Sequence, residues 1–309
     1  MNSHSESKKV AACGILNIHK PPGCTSRDVV NQVQRFFGRK VRVGHAGTLD
    51  PMATGVLLVA VGRATKLIPV IHEYSKTYVA GFTFGQTSDT DDSTGNVSTV
   101  QVTQPVERQA VEDALQLQIG AIMQTPPAFS AVKVQGKRAY AVARKGQQVE
   151  IKPRQVQVHE IEILEYQFPT LKLRIRCGSG TYIRSIARDV GLRLGIGGLM
   201  HELQRTVIGP YSLEDAIDAD TVRADSLKPA MSIFACDRAG EPTWSRHCLS
   251  NAEIQQLRNG HPLVLQTNDA ARLVAVTSTG DFAAILRRSA DDHGRYRAEI
   301  NWVPQWFNS

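Results

Sequence analysis

The chain has 309 residues, which is enough for one large domain or for a large and a small one. Its 42 % hydrophobic and 21 % charged residues are ordinary globular values and exclude a largely disordered chain. No apolar run approaches the roughly 20 residues of a membrane helix, so we expect no membrane segment. The net charge of +7 favours a polyanionic partner such as a nucleic acid.

The first elements follow from simple local patterns. Residues 1–12 are polar and lack a signal-peptide core, so we predict a disordered lead-in. Residues 14–18 form a short apolar piece. Thr25 or Ser26 is placed to cap a helix over about 28–37, where apolar residues recur at helical spacing.

The stretch 44–55 is the most informative loop of the sequence. It lies between the β-prone segments 41–43 and 56–61 and contains three glycines and a proline, which indicates a loop of fixed shape. The loop holds a carboxylate, Asp50, in one pose, with the imidazole of His45 five residues earlier. Taken alone, an Asp before a Pro is more often a turn former than a catalyst.

The remaining elements are predicted from apolar periodicity. Residues 76–85 alternate as a strand that carries Tyr78, and 106–119 is typical of a helix. The segments 156–166 and 171–177 predict an antiparallel strand pair. The later elements are a helix over 182–194, a strand over 201–208, a helix over 252–258 capped by Ser250, and short strands over 263–265, 272–278, 281–287 and 296–302.

Arg184 lies in the first turn of the helix predicted over 182–194, outside its apolar stripe. The helix dipole disfavours a cation there by ~0.3–1 kcal/mol. An opposing carboxylate would remove that conflict, and Asp50 is the candidate. The plainer interpretation is a solvated helix residue.

Basic residues concentrate in one segment of the middle of the chain. No acidic residue occurs between Asp113 and Glu150, whereas several cations do, which favours contact with phosphate. These cations include Lys133, Lys137, Arg138 and Arg144.

The five cysteines are odd in number and widely spaced, without zinc-site spacing. They predict reduced thiols in a cytoplasmic protein and no metal site.

The string GHAGTLDPMATGVL at 44–57 resembles the signature loop of the TruB family of pseudouridine synthases, which act on the uridine at position 55 of the tRNA T-loop. Further family-like strings follow in the same order, so that the resemblance covers roughly residues 14–215. They are Lys20-Pro21-Pro22-Gly23, Gly62-Arg63-Ala64-Thr65-Lys66, Lys76-Thr77-Tyr78, the segment 85–95, the segment 126–133, and Gly180-Thr181-Tyr182-Ile183-Arg184.

This resemblance implies an α+β fold of the pseudouridine-synthase type, with a mixed, mostly antiparallel sheet and flanking helices. It implies a catalytic domain over 13–235, with an insertion at about 124–152 that closes over the RNA. A small β-rich, PUA-like RNA-binding domain is expected over 245–309, on the weaker grounds of position and strand rhythm.

The resemblance also implies roles for individual residues. Asp50 would assist cleavage of the glycosidic bond, and Arg184 would pair with it and keep it ionised. Tyr78 would stack on the base and take part in proton transfer at C5, and His45 would fill the space left by flipped bases. Lys20 and Tyr182 match further active-site positions, and Leu203 matches an apolar wall beneath the base. No cofactor is required, since the reaction is an isomerisation.

Three alternatives are weighed against this interpretation. A non-catalytic RNA-folding protein would tolerate loss of Asp50, Tyr78 or Arg184, yet all three are present. An enzyme that works within a guide-RNA particle generally carries basic low-complexity extensions, which are absent here. A glycosidase would need two carboxylates, and the sequence offers one. We therefore expect a stand-alone, monomeric tRNA-modifying enzyme without an obligatory protein partner.

Overall fold

The computed structural model describes residues 12–130, 133–134, 137–138, 151–236, 241–266, 270–290 and 294–303. This part of the chain forms one large mixed sheet with flanking helices, followed by a smaller sheet. Among these residues, no helix is both long and apolar enough to cross a membrane.

The large sheet contains the signature loop and most of the predicted strands. Its order is β14-β1-β3-β12-β4-β11-β10-β7, with β2 paired to β3 and β13 to β12. Its pairs are antiparallel except β1–β14 and β3–β12, which confirms the predicted mixed, mostly antiparallel α+β fold. The strands are β1 (Gly14–Lys20), β2 (Val43–Ala46), β3 (Thr54–Val61), β4 (Lys76–Phe84), β7 (Gly120–Gln124), β10 (Arg154–Gln167), β11 (Thr170–Cys177), β12 (Gly198–Ile208), β13 (Tyr211–Ser212) and β14 (Ile217–Asp218).

The helices cover the apolar faces of the sheets. Thr25, one of the two predicted caps, caps the first one, and the structure adds a capping box with Asp28. Helix 26–37 covers the β1–β3 end of the large sheet, whereas helices 108–116 and 183–193 cover β4, β10, β11 and β12. The α-helices are Ser26–Phe37, Ile68–Glu73, Arg108–Gln116, Ile183–Arg193 and Asn251–Arg258, and the 3-10 helices are Gly62–Leu67, Ala224–Ser226 and Ala230–Phe234.

The two halves of the large sheet meet at a narrow seam between β3 and β12. β3 and β12 pair only through Thr54 with Gln204 and Gly55 with Arg205. Gly55 has a φ of +101°, and a Cβ at this position would lie 2.2 Å from the carbonyl oxygen of Arg205. Only glycine fits this approach. The seam places the Asp50 turn beside β12 and β4.

The smaller sheet has the order β15-β17-β18-β19-β16 and confirms the predicted β-rich C-terminal region. It packs against the large sheet through an aromatic cluster that includes Phe234, Phe282 and Trp302. Arg63 donates to the carbonyl of Trp302 at 2.8 Å across this contact. Its strands are β15 (Ser245–Cys248), β16 (Leu263–Val264), β17 (Arg272–Val276), β18 (Phe282–Arg288) and β19 (Arg295–Asn301).

Several short strands were not predicted. β7 and β15 are edge strands, each paired on one side only, and neither has a clear apolar alternation in its sequence. The sequence pattern gave no sign of the hairpin of β5 (Gln86–Ser88) and β6 (Val97–Thr99), or of β9 (Lys137–Arg138). It does predict a strand over 128–135, and β8 (Lys133–Val134) lies within that range. The sequence pattern also predicts a helix over 138–144. This prediction is wrong at Arg138, which lies in β9, and the rest of the segment falls outside the described residues.

Candidate active site

The turn that carries Asp50 is held in place by side chains from the first helix and strand. The hydroxyl of Ser26 donates to the Leu49 carbonyl at 3.2 Å and accepts from the Leu49 N–H at 2.9 Å. On the other side of Asp50, the carbonyl of Pro51 accepts from the Lys20 ammonium at 3.2 Å. These contacts fix the backbone immediately before and after the carboxylate.

Arg184 lies opposite Asp50, as predicted, and is buried. Its Nη2 donates to Asp50 Oδ1 at 3.2 Å, and its Nε lies 3.0 Å from Oδ2 as an ion pair outside hydrogen-bond geometry. Nη1 donates to the Thr90 carbonyl at 2.8 Å and lies 3.4 Å from Asp92 Oδ2. Nη2 also donates to the Phe129 carbonyl at 3.2 Å. One guanidinium therefore joins three loops.

The electrostatics of Asp50 agree with only part of the prediction. Burial is the largest influence and raises the pKa of this carboxyl overall, Arg184 lowers the pKa as expected, and the nearby charge of Asp92 raises it. The Asp50 side chain still has 32 % of its surface exposed, whereas that of Asp92 has 5 %. Asp50 is therefore the carboxylate of this pair that a substrate can reach.

Tyr78 and Leu203 form the apolar side of the site. Tyr78 lies on β4 and Leu203 on the neighbouring β12, and both belong to one buried cluster with Leu49 and Ala53. Burial raises the pKa of the Tyr78 hydroxyl, and the charge of Asp50 raises it further. The ring and the apolar wall thus adjoin the turn that holds the carboxylate.

Lys20 and His45 are both close to the turn, as predicted, and both are pushed toward their neutral forms. Lys20 is fully buried and also donates to the Pro21 carbonyl at 2.8 Å, and burial lowers its pKa. Burial, with the positive charges of Arg27 and Arg205, lowers the pKa of His45 to about 4. His45 is therefore an uncharged ring at neutral pH.

Tyr182 begins the helix that carries Arg184. Its backbone N–H donates to Gln124 Oε1 at 2.8 Å, and its carbonyl accepts from Gln124 Nε2 at 3.1 Å. The guanidinium of Arg154 lies 5.1 Å from the centre of its ring. β7 thus binds the backbone of Tyr182, and β10 places a guanidinium over its ring.

Three of the four residues predicted to contact phosphate lie in the described part of the chain. Lys133, Lys137 and Arg138 lie in the paired strands β8 and β9, of which the backbone alone is described. Arg144 lies outside the described residues.

Three contacts of the site were not predicted. Arg205 is 1 % exposed and donates to backbone carbonyls of the signature loop. The sequence could have indicated it, because Arg205 follows Leu203 by two residues in a predicted strand and therefore lies on the same face. Ser26 was considered only as a helix cap, and Arg188, which donates to Asp91 at 2.8 Å, has no local signal.

The arrangement supports chemistry by a single carboxylate. A retaining glycosidase needs two accessible carboxylates about 5–5.5 Å apart, and the buried Asp92 cannot serve as the second. Asp50 instead pairs with a fixed guanidinium, and its turn neighbours Leu49 and Ala53 share one buried cluster with Tyr78 and Leu203. Such a site can hold a flat ring while a carboxylate acts at the adjoining sugar.

Comparison with known proteins agrees with this geometry. Residues 34–183 match the family model for the TruB family pseudouridylate synthase N-terminal domain, and residues 184–255 match that for the tRNA pseudouridylate synthase B C-terminal domain. A tRNA pseudouridine synthase B of Dehalococcoides mccartyi is 40 % identical over 280 residues, covering 90 % of this chain and 93 % of the relative. The enzyme of the same name from Thermobifida fusca is 41 % identical over 258 residues, covering 81 % and 86 %.

A solved structure shares the fold at lower sequence identity. A chain in an H/ACA RNP bound to a substrate RNA containing 2'-deoxyuridine superposes with a TM-score of 0.69 at 20 % identity, covering 96 % of this chain and 87 % of that one. The two family models and the two relatives together span most of the sequence. On this evidence, the chain belongs to the TruB family of pseudouridylate synthases.

Proposed function

We propose that this chain isomerises the uridine at position 55 in the T-loop of tRNA to pseudouridine. The reachable carboxylate of Asp50, held by Arg184 and facing Tyr78, is the observation that carries the proposal. The relatives named tRNA pseudouridine synthase B support tRNA as the substrate, and the resemblance of the signature loop supports position 55.

Asp50 assists cleavage of the N-glycosidic bond by acting at the ribose. Arg184 orients the carboxylate and opposes the rise in pKa that burial causes, so that more of the ionised form is present at neutral pH. After cleavage, the uracil rotates, its C5 bonds to C1′, and the proton leaves C5. No group is lost to the solvent and nothing is oxidised, so the chemistry calls for no cofactor.

The target base lies between the carboxylate and the apolar side of the site. Tyr78 stacks on the base and takes part in proton transfer at C5, and Leu203 closes the pocket beneath it. Lys20 and Tyr182 line the same site as substrate-binding residues, Lys20 from beside the Asp50 turn and Tyr182 from the start of the Arg184 helix. A closed pocket keeps the free uracil from escaping between the two steps.

Access to a stacked T-loop base requires that the base flip out, at a cost of a few kcal/mol. His45 is suited to fill the vacated space, because a neutral imidazole stacks on bases without needing a counterion. The cations of the 124–152 insertion, Lys133, Lys137, Arg138 and Arg144, supply phosphate contacts that offset this cost.

The C-terminal domain, over 245–309, serves as a PUA-like RNA-binding unit that adds contacts to the tRNA. We propose that the enzyme acts in the cytoplasm as a monomer, without an obligatory protein partner. The odd number and wide spacing of the cysteines support reduced thiols in such a compartment.

Tritium release from C5-labelled uridine tests the reaction and its site together. Wild-type protein should release tritium from an unmodified tRNA, and should release none when the T-loop uridine is replaced by cytidine. Release from both substrates would move the target to another position. Absence of release from either, with tight binding intact, would favour an RNA-folding protein over an enzyme.

A matched pair of variants tests the role of Asp50. Asp50→Asn should bind tRNA within about threefold of wild type in a filter-binding assay, yet form no pseudouridine, because an amide cannot act as nucleophile or base. Asp113→Asn makes the same chemical change on the exposed side of helix 108–116 and should leave the rate unchanged. Pseudouridine formation by Asp50→Asn would remove Asp50 from this role.

A further inference from the structure

Arg205 is a second buried arginine beside the site, and the proposed chemistry gives it no role. Arg184 faces two carboxylates, whereas Arg205 makes no ion pair within the part of the chain that the structure describes. Its side chain is nonetheless 1 % exposed. A buried charge without a counterion is costly, so its presence at this position needs an explanation.

The guanidinium of Arg205 binds the signature loop on both sides of Asp50. Its Nε donates to the Val56 carbonyl at 2.7 Å, and its Nη2 donates to the Gly47 carbonyl at 3.0 Å. Gly47 precedes the Asp50 turn and Val56 follows it. The backbone of Arg205 also contacts Gly55 so closely that no side chain fits there. Arg205 of β12 therefore holds together the two ends of the signature loop.

The same side chain adjoins Tyr78. Arg205 and Tyr78 are directly opposite each other on β12 and β4, and directly opposed residues of an antiparallel pair project from one face of the sheet. Burial raises the pKa of the Tyr78 hydroxyl, and the positive charge of Arg205 opposes that rise. Arg205 thus binds the loop that carries the carboxylate and lies directly across the strand pair from Tyr78.

We propose that Arg205 is a positioning residue that fixes the Tyr78 hydroxyl and the Asp50 turn relative to each other. The inference rests on the proposed function, because it requires Tyr78 and Asp50 to act on the same uridine. A guanidinium suits this role, since its planar fork of five N–H donors can bind several acceptors at fixed angles. A lysine at this position would keep the charge but would lose the fork.

The simpler explanation is that Arg205 only ties β3 to β12. In that case its loss would lower the stability of the protein, and the folded fraction would turn over saturating tRNA at the normal rate. A positioning residue, in contrast, lowers kcat in the folded protein with little change in the affinity for tRNA. Its effect is also coupled to that of Tyr78, because it acts through the hydroxyl.

The decisive experiment compares five proteins in tritium release at saturating tRNA, with folding checked by circular dichroism and affinity by filter binding. They are wild type, Arg205→Met, Arg205→Lys, Tyr78→Phe and the double variant Arg205→Met/Tyr78→Phe. A misplacement of about 1 Å costs about 100-fold in rate, so kcat should fall about 100-fold in both Arg205 variants. The dissociation constant for tRNA should stay within about threefold, and the loss of kcat in the double variant should be clearly smaller than the product of the two single losses.

Arg174→Met is the matched control. Arg174 lies on β11, which β4 separates from β12; it is 51 % exposed and pairs with Glu162, so its loss should leave kcat within about twofold of wild type. If Arg205→Met does not fold, Arg205→Lys decides the question, since it keeps the charge and most of the stem.

Normal kcat in a folded Arg205 variant, or multiplicative effects of the Arg205 and Tyr78 changes, would overturn this inference while wild type remains active. Failure of wild type itself to release tritium would overturn the proposed function and this inference with it.

Discussion

Replacing Arg184 by Met tests the electrostatic structure of the site. The substitution removes a guanidinium that is 5 % exposed and that faces both Asp50 and Asp92. Breaking a buried ion pair from one side costs about 3–5 kcal/mol, because the remaining charge loses its partner. Asp50 keeps 32 % of its side-chain surface in solvent and can recover part of its hydration, so we take the lower limit, about 3 kcal/mol at pH 7.5.

The loss should depend on pH in a direction that the site determines. The pKa of Asp50 is raised above 3.8 in the folded protein, and Arg184 is the largest influence that opposes this rise. Removing Arg184 raises the pKa further. A carboxyl that binds its proton more tightly when folded makes folding less favourable as the pH rises through 3.8 toward the folded pKa. The free energy of unfolding of the variant should therefore be closer to that of wild type near pH 4, where the loss should be about half of the loss at pH 7.5.

Urea unfolding at the two pH values measures this difference, with Arg108→Met as the control. Arg108 is 57 % exposed and pairs with Glu112 one helical turn away, so its loss should cost at most about 0.5 kcal/mol at either pH. Adding Asp50→Asn to Arg184→Met removes the unpartnered carboxylate and should restore about 1–2 kcal/mol at pH 7.5. Equal losses at both pH values, or no recovery in the double variant, would refute this reasoning.

Two further predictions concern the signature loop. Gly55→Ala should lower the free energy of unfolding by about 3 kcal/mol or more, because its φ is +101° and a Cβ would lie 2.2 Å from the Arg205 carbonyl oxygen. Gly23 has a φ of +82°, and a Cβ added there would have no other atom within 4 Å. Gly23→Ala should therefore lower the free energy of unfolding by only about 1–2 kcal/mol, and equal losses for the two variants would contradict the close approach at Gly55. The pKa of His45 is lowered to about 4, so its NMR signals should stay at the neutral position from pH 8 to pH 6. The stability it contributes should be lost as the pH falls from 6.5 to 4, because the unfolded imidazole binds the proton first; a midpoint near 6.5 would contradict this.

The sequence by itself determined the elements whose patterns are local. The first helix has the two candidate caps Thr25 and Ser26 immediately before its apolar repeat, and the helix 183–193 has its apolar residues at helical spacing. The strand pair β10–β11 follows from two apolar segments joined by a short turn. The family resemblance then supplied what no periodicity contains, the expectation that Asp50 and Arg184, 134 residues apart, face each other.

Only the tertiary structure decided which residues meet at the site, because those contacts join segments that are distant in sequence. Arg205 looks like one charge in a strand until β3, β4 and β12 come together around it. The raised pKa of Asp50 likewise depends on how much protein surrounds the carboxylate, and the sequence does not contain that quantity. Local sequence patterns determine the helices and strands and indicate the reactive side chains. Burial and long-range contacts determine the charge states of those side chains and the residues that hold them in place.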